Sequence, residues 1–402
     1  MPLALLALAI SAFGIGTTEF VMMGLMPNVA EDLGTSVPTA GHLVSAYAIG
    51  VVIGAPLLTA LGSRIPRRRM LIWLMSLFVV GNLASALAPG FGTLVAGRVL
   101  AGLPHGAFFG VGAVVAARLV TEDRAGRAVA TMFLGLTVAN IVGVPVGTAL
   151  GQQLGWRATF LVVTAIGVVA TIALAALVPR IPLERNSGVK HELRALGNRQ
   201  VLLGLATAVF GFGGVFAVYS YLASMMTKVS GFAESSVTLV LALFGVGMTL
   251  GAMIAGPLSD RALRPTVYGS LAALALALVV FGFAVHVKWA ALVMVVVLGA
   301  VGFMTTTPLQ MLVMQKARNA PTLASASNHS AFNLANAGGA WLGGVAIAAG
   351  WGWTSPTLVG AVLAVIGLAI ALLAGLLDRR HTGSISRVVA RGEAERRESV
   401  DA

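Results

Sequence analysis

Apolar residues run along the chain in long blocks, and polar residues gather in the short gaps between them. A helix rises 1.5 Å per residue, so about 20 apolar residues cross the ~30 Å hydrocarbon core of a bilayer. Breaks at Pro, Gly and charge divide the chain into twelve such blocks: roughly 2–26, 37–61, 70–88, 93–117, 127–151, 157–178, 200–226, 236–258, 266–286, 289–314, 322–350 and 354–377. The pattern predicts an all-α membrane protein with twelve transmembrane helices. The first block has no Lys or Arg before it and no small-residue cleavage site after it, so it reads as a retained span. Two polar segments interrupt the rhythm. "PRIPLERNSGVKHELRALGNRQ" (179–200) is the longest gap, and "DRRHTGSISRVVARGEAERRESVDA" (378–402) is a charged tail expected to be disordered. The predicted organisation is a six-helix bundle over 1–178, a linker over 179–199, a second six-helix bundle over 200–377, and the tail.

Composition agrees with that reading. Of 402 residues, 58% are hydrophobic and 10% charged, against about 25% charged in a soluble domain. Cysteine is absent, which excludes disulfides, thiolate metal sites and a cysteine nucleophile. A formal charge of +12 would fit a nucleic-acid partner until the charges are placed. With the N-terminus in the cytoplasm, 22 of the 26 Lys and Arg fall in inside segments, as the positive-inside rule requires. Only Arg157, Lys228 and Lys288 fall outside, and Arg98 lies within a span. The basic charge therefore meets anionic lipid, not nucleic acid, and both termini are expected to be cytoplasmic.

The two halves overlay. "IGAPLLTALGSRIPRR" (53–68) matches "LGAMIAGPLSDRALRP" (250–265), placing Gly54 on Gly251 and Arg64 on Arg261. "ANIVGVPVG" (139–147) matches "ANAGGAWLG" (335–343), placing Asn140 on Asn336, Gly143 on Gly339 and Gly147 on Gly343. Duplicated six-span halves around a central site are a transporter architecture.

Four stretches carry a family resemblance over roughly residues 5–375: "GTTEFVMMGLMPNVAEDLGTSVPTAGHLVSAYAIGVVIGAP" (16–56), "GRVLAGLPHGAFFGVGAVVA" (97–116), "VANIVGVPVGTALGQQLGWRATF" (138–160) and "SGFAESSVTLVLALFGVGMTLGAMIAGPLSDR" (230–261). The chain resembles the major facilitator superfamily, its twelve-span drug–proton antiporter branch, and within that the arabinose-efflux-permease and chloramphenicol-resistance group. The resemblance implies two pseudo-symmetric bundles and proton-driven export of a drug or sugar. It also implies a role in proton transfer for Arg98, which stands at the family's motif B, and low proton leak for the span-five motif. The chain departs from the family at motif A, where "TALGSRIPR" (59–67) has Ser63 for Asp and Pro66 for the second Gly. The better Asp–Arg copy is Asp260–Arg261. Arg64, Arg67, Arg68, Asp260 and Arg261 are candidates for a cytoplasmic gate, or for topology signals alone.

Glu19 is the residue least at home in its surroundings. An ionised carboxylate in hydrocarbon costs at least ~2.5–3.5 kcal/mol, so Glu19 is expected to face a cavity and exchange a proton; the alternative is a structural carboxylate near the outer mouth. Counting inward from Pro27 and from Gly90 puts Glu19 and Arg98 both about 12 Å deep, close enough to be partners in proton coupling or a permanent ion pair. Tyr47, His105, Asn140, Phe216, Tyr219, Asn333 and Asn336 are candidates for the substrate cavity, with packing or interhelical hydrogen bonding as the alternative. Gly143, Pro145 and Gly147 should bend span five and pack it closely against a partner helix, expected in the other half. No Lys follows a Gly as an ATP-binding loop would need, and the hydrolase motifs are missing. An enzyme is not expected. The expectation is a proton-coupled exporter in a bacterial plasma membrane, with an uncoupled facilitator as the alternative. The expected partners are a small molecule, the proton and lipid; no cofactor or metal is expected, and the chain is read as a monomer.

Overall fold

The computed structural model describes residues 3–62, 65–121, 124–180, 198–316 and 321–398. Ten stretches among these are long and apolar enough to cross a membrane. One of them, Glu234–Ala284, makes two crossings, because the helix Val237–Ala284 breaks at Ala262, whose φ of −156° and ψ of 78° are not helical. A further helix, Pro321–Ala348, completes twelve. They are α1 (Leu3–Asp32), α2 (His42–Leu61), α3 (Arg67–Ala86), α4 (Phe91–Arg118), α5 (Ala125–Val138 and Val144–Leu154), α6 (Trp156–Leu177), α7 (Arg199–Tyr219 and Leu222–Lys228), α8 (237–261), α9 (263–284), α10 (Lys288–Met304 and Thr306–Lys316), α11 (Pro321–Ala348) and α12 (Ser355–Glu398). Residues 181–197, most of the expected linker, lie outside the described residues. The segment expected to be a disordered tail differs: α12 continues as helix to Glu398, through a stretch rich in the helix formers Ala, Arg and Glu.

Glycines show why the halves match. A Cβ on Gly50, Gly54 or Gly102 would run into the carbonyl oxygens of Val99, Leu103 and Tyr47, so α2 and α4 cross backbone to backbone. A Cβ on Gly247, Gly251 or Gly299 would meet the carbonyls of Val296, Ala300 and Phe244. Each position of the first set maps onto the second at an offset of 197, contact partners included. Without hydrophobic drive between helices in lipid, such close approach supplies the packing. Large apolar side chains such as Trp73, Phe283, Trp289 and Trp351 stand exposed around the outside, where acyl chains and the interface would cover them.

Pro145 has no N–H to offer the preceding turn, and α5 relaxes there into a π-helical turn, Ala139–Gly143. Gly143 and Gly147 do pack closely, but against α1 (Thr17, Phe13 and Val21) within their own bundle, not against the other half. Their counterparts Gly339 and Gly343 pack on α7 in the same way. Contact between bundles falls to the turn itself: a Cβ on Gly245 of α8 would lie 2.5 Å from the carbonyl oxygen of Asn140. On the opposite side, Ser45 Oγ of α2 donates to the Ala337 carbonyl of α11 at 3.0 Å.

Candidate functional site

The bundles enclose a cavity of about 300 Å³. Glu19 and Phe20 of α1, His105 and Phe109 of α4, and Phe133, Thr137 and Asn140 of α5 line it from the first bundle. Phe212 and Phe216 of α7, Met248 and Thr249 of α8, Phe303 and Gln310 of α10, and His329, Phe332 and Asn333 of α11 line it from the second.

The helix ends define two faces, one bearing the start of α1 and the body of the chain's last helix end, the other bearing the α1–α2 connection. The cavity is shut toward the second, far face. Phe20 stacks on Phe216 at 6.2 Å between centroids, and Tyr219 lies flat on Phe244 at 4.2 Å. The Tyr221 hydroxyl donates to the Ala340 carbonyl at 2.9 Å and fills the space beside Gly41 and Gly344. Gln152 Nε2 adds a cross-bundle bond to the Glu234 carbonyl at 3.1 Å. Toward the near face the floor is aromatic. Phe109, Phe133 and His329 lie nearly parallel, with centroids 5.2, 5.9 and 6.3 Å apart, and join the two bundles.

Glu19 is buried, and its Oε2 lies 3.9 Å from His105 Nδ1. That nitrogen is 3.0 Å from Tyr47 Oη, one hydrogen bond whose donor follows the imidazole tautomer. Arg98, fully buried, directs two of its three nitrogens elsewhere and leaves Nη2 without a hydrogen-bond partner. Nη1 donates to the Thr18 carbonyl at 2.9 Å and to Thr18 Oγ1 at 3.2 Å, Nε reaches the Leu43 carbonyl at 3.4 Å, and the group sits 4.4 Å over the Tyr47 ring. Among the described residues, no hydrogen bond or ion pair joins Glu19 to Arg98.

Two facts separate the pair that the depth count brought together. Helix α1 does not end at Pro27 but runs on to Asp32, which sets Glu19 deeper than assumed. Side chains also lean toward the N-terminus of their helix. Helices α1 and α4 run in opposite directions, so Glu19 leans toward the near face and His105, Arg98's neighbour two turns on, leans up to meet it.

His105, Asn140, Phe216 and Asn333 line the cavity as expected. Tyr47 touches it only through His105, Tyr219 belongs to the far-side packing, and Asn336 is buried away from the wall. The sequence reading missed Phe133, His329, Phe303 and Phe332. The i, i+4 spacing of His329 and Asn333 puts both on one face of a helix and was the available signal.

Of the gate candidates, Arg64 lies outside the described residues. Arg68 donates to the Ala175 carbonyl at the end of α6, a bond within one bundle that suits a cation at a helix C-terminus. Asp260 and Arg261 are exposed. The ion cluster on the near face lies instead inside the second bundle, where Asp378 accepts from Lys316 at 2.7 and 2.8 Å and from Arg264.

The family profile described as Major Facilitator Superfamily matches residues 8–339. Inner membrane transport protein YdhP of Escherichia coli (strain K12) is 45% identical over 369 residues, covering 92% of this chain and 94% of that one. A chloramphenicol resistance protein of Streptomyces lividans is 35% identical over 386 residues, covering 92% and 96%. A crystal structure of a D-xylose–proton symporter superposes with a TM-score of 0.75 at 17% identity, covering 91% of this chain and 96% of that one; at that identity the likeness is one of fold.

Proposed function

Because this chain belongs to the major facilitator superfamily, as a bacterial multi-pass membrane transporter of small molecules and not an enzyme, we propose that it exports its cargo in exchange for protons. The observation that carries this reading is Glu19: a buried carboxylate on the wall of a cross-bundle cavity, not hydrogen-bonded to the nearby Arg98, whose Nε and Nη1 bond to Leu43 and Thr18 and whose Nη2 has no partner. A carboxylate without a fixed counter-ion can take up and release a proton, and a buried ionisable group beside a water-reachable cavity is expected to be functional. The positive-inside pattern supports placing the near face in the cytoplasm. The structure then corresponds to the state closed toward the outside.

In the proposed cycle, cargo enters from the cytoplasm while Glu19 and His105 give up a proton. The floor of Phe109, Phe133 and His329, stacked across the bundles in this structure, parts to admit the cargo; it is restored as the bundles rock about α1 and α7 and the far-side contacts open. Outside, a proton displaces the cargo at Glu19, and the return step carries the proton inward. The cargo is a small organic molecule, either a drug such as chloramphenicol, which the name of the Streptomyces relative favours, or a sugar. The cycle draws on the proton gradient and uses no cofactor.

Export assayed in everted vesicles tests the proposal with Glu19→Gln. Gradient-driven transport is expected to vanish while counterflow exchange of labelled cargo persists, because Gln keeps the cavity but cannot cycle a proton. If the Gln variant still exports, and an uncoupler still stops it, coupling does not run through Glu19.

A further inference from the structure

We propose that Asn140 and Asn333 form a pair of hydrogen-bond acceptors, one from each bundle, that selects a small aromatic cargo carrying a pair of hydroxyl donors; this rests on the transport reading above and specifies the chemistry of what is carried.

The two residues line the cavity from different bundles and are each 4% exposed. Asn140 Nδ2 donates to the Leu136 carbonyl at 3.0 Å, and Asn333 Nδ2 donates to the His329 carbonyl at 3.1 Å. A carbonyl can only accept, so each amide nitrogen must face its own helix and the orientation of both amides is fixed. Both Oδ1 atoms are then left buried without a partner. Two wall threonines are committed the same way: Thr249 donates to the Gly245 carbonyl at 3.0 Å and Thr306 to the Phe303 carbonyl at 2.8 Å. What these side chains retain for a guest is lone pairs. An anion, or a ligand bearing acceptors alone, would shed its water and gain no hydrogen bond from them.

The rest of the wall is aromatic. Phe212 meets Phe216, Phe303 and Phe332 edge-on at 5.1, 5.5 and 4.9 Å, and the parallel rings of the floor line the same cavity. A flat ring finds stacking and edge contacts there. A polyol has more donors than two amide oxygens can accept and would press the remainder against phenyl rings. Because α5 and α11 belong to different bundles, a ligand held by both amides stabilises one relation of the bundles over another, as a transported cargo must.

The test is equilibrium binding by calorimetry to the purified full chain in detergent, at one pH and with no gradient. The probes are chloramphenicol (an aryl amide diol), its 1,3-diacetate with both hydroxyls capped, and L-arabinose. The diol is expected to bind about tenfold or more tighter than the diacetate, at up to about tenfold per lost hydrogen bond, and arabinose is expected not to compete. Asn140→Leu and Asn333→Leu should each weaken the diol about 3- to 10-fold and leave the diacetate unchanged. Equal affinity for diol and diacetate, binding of arabinose in their place, absence of binding by either aromatic probe, or variants that weaken both aromatic probes alike would each overturn the proposal. If a Leu variant does not fold, the comparison of the two probes on the natural chain decides by itself. Because no gradient is present, diol selectivity together with a Glu19→Gln chain that still exports on the gradient would sink proton coupling through Glu19 and leave this inference standing.

Discussion

Replacing Gly245 by Ala should tip the chain away from the conformation described here. The new Cβ would sit 2.5 Å from the Asn140 carbonyl oxygen, 2.9 Å from its carbon and 3.3 Å from Ile141 Cα. Ordinary contact begins near 3.4 Å, and all three atoms are backbone, held in the turn Ala139–Gly143, so no flexible side chain can yield. Overpacking of this kind costs about 1–3 kcal/mol. The clash lies between bundles, so it burdens only the state in which α5 and α8 meet. A bias of that size changes the ratio of two states by about 5- to 150-fold. The absence of cysteine makes the readout direct. Spin labels on Leu154→Cys and Val287→Cys, both exposed and in different bundles, report the width of the far side by pulsed electron–electron double resonance. Gly245→Ala should shift the distance distribution toward longer values. Gly256→Ala on the same helix, whose added Cβ meets nothing within 4 Å, should leave it unchanged. If the first variant matches the natural chain, or if both variants shift it equally, the interbundle contact does not govern the balance.

Three further outcomes are expected. Gly54→Ala and Gly251→Ala press on the equivalent carbonyls of Leu103 and Ala300, so each should destabilise the purified chain by about 1–3 kcal/mol; thermal unfolding that drops for one and not the other would contradict the equivalence of the halves. Arg98→Lys keeps the charge but cannot span the Thr18 and Leu43 carbonyls with one planar fork, and should lose about 1–3 kcal/mol of stability by the same measurement. His329→Phe preserves the stacked floor and should hold the transport KM within about twofold. His329→Ala removes ring contacts of about 0.5–1.5 kcal/mol and should raise KM about 2- to 10-fold; equal values for the two variants would show that the ring contact contributes nothing.

The architecture was legible because lipid imposes it: block length gives the spans and Lys/Arg placement gives their alternation. The repeat was legible too, since Gly54 and Gly251 recur for one steric reason. Positions within the site were harder. Glu19 stood out by its cost, but its neighbour was misjudged, because Pro27 looks like a helix end and is not one, and because antiparallel helices aim their side chains oppositely. Gly143 and Gly147 announced close packing without naming the partner, which depends on how α5 is rotated about its axis. His329 was not singled out, because its relation to Phe109 and Phe133 exists only once the two bundles meet. The ion cluster at Asp378 was hidden within what read as the start of a tail.

Two of the bonds that hold Arg98 end on oxygens that every amino acid possesses. No exchange of a neighbouring side chain can delete the Thr18 or Leu43 carbonyl, so these two ties from α4 to α1 and α2 outlast changes around them, although those to the Thr18 hydroxyl and the Tyr47 ring do not. The lining of the chamber can therefore drift toward new cargoes, or be redesigned for them, one residue at a time, while the scaffold beneath keeps its grip.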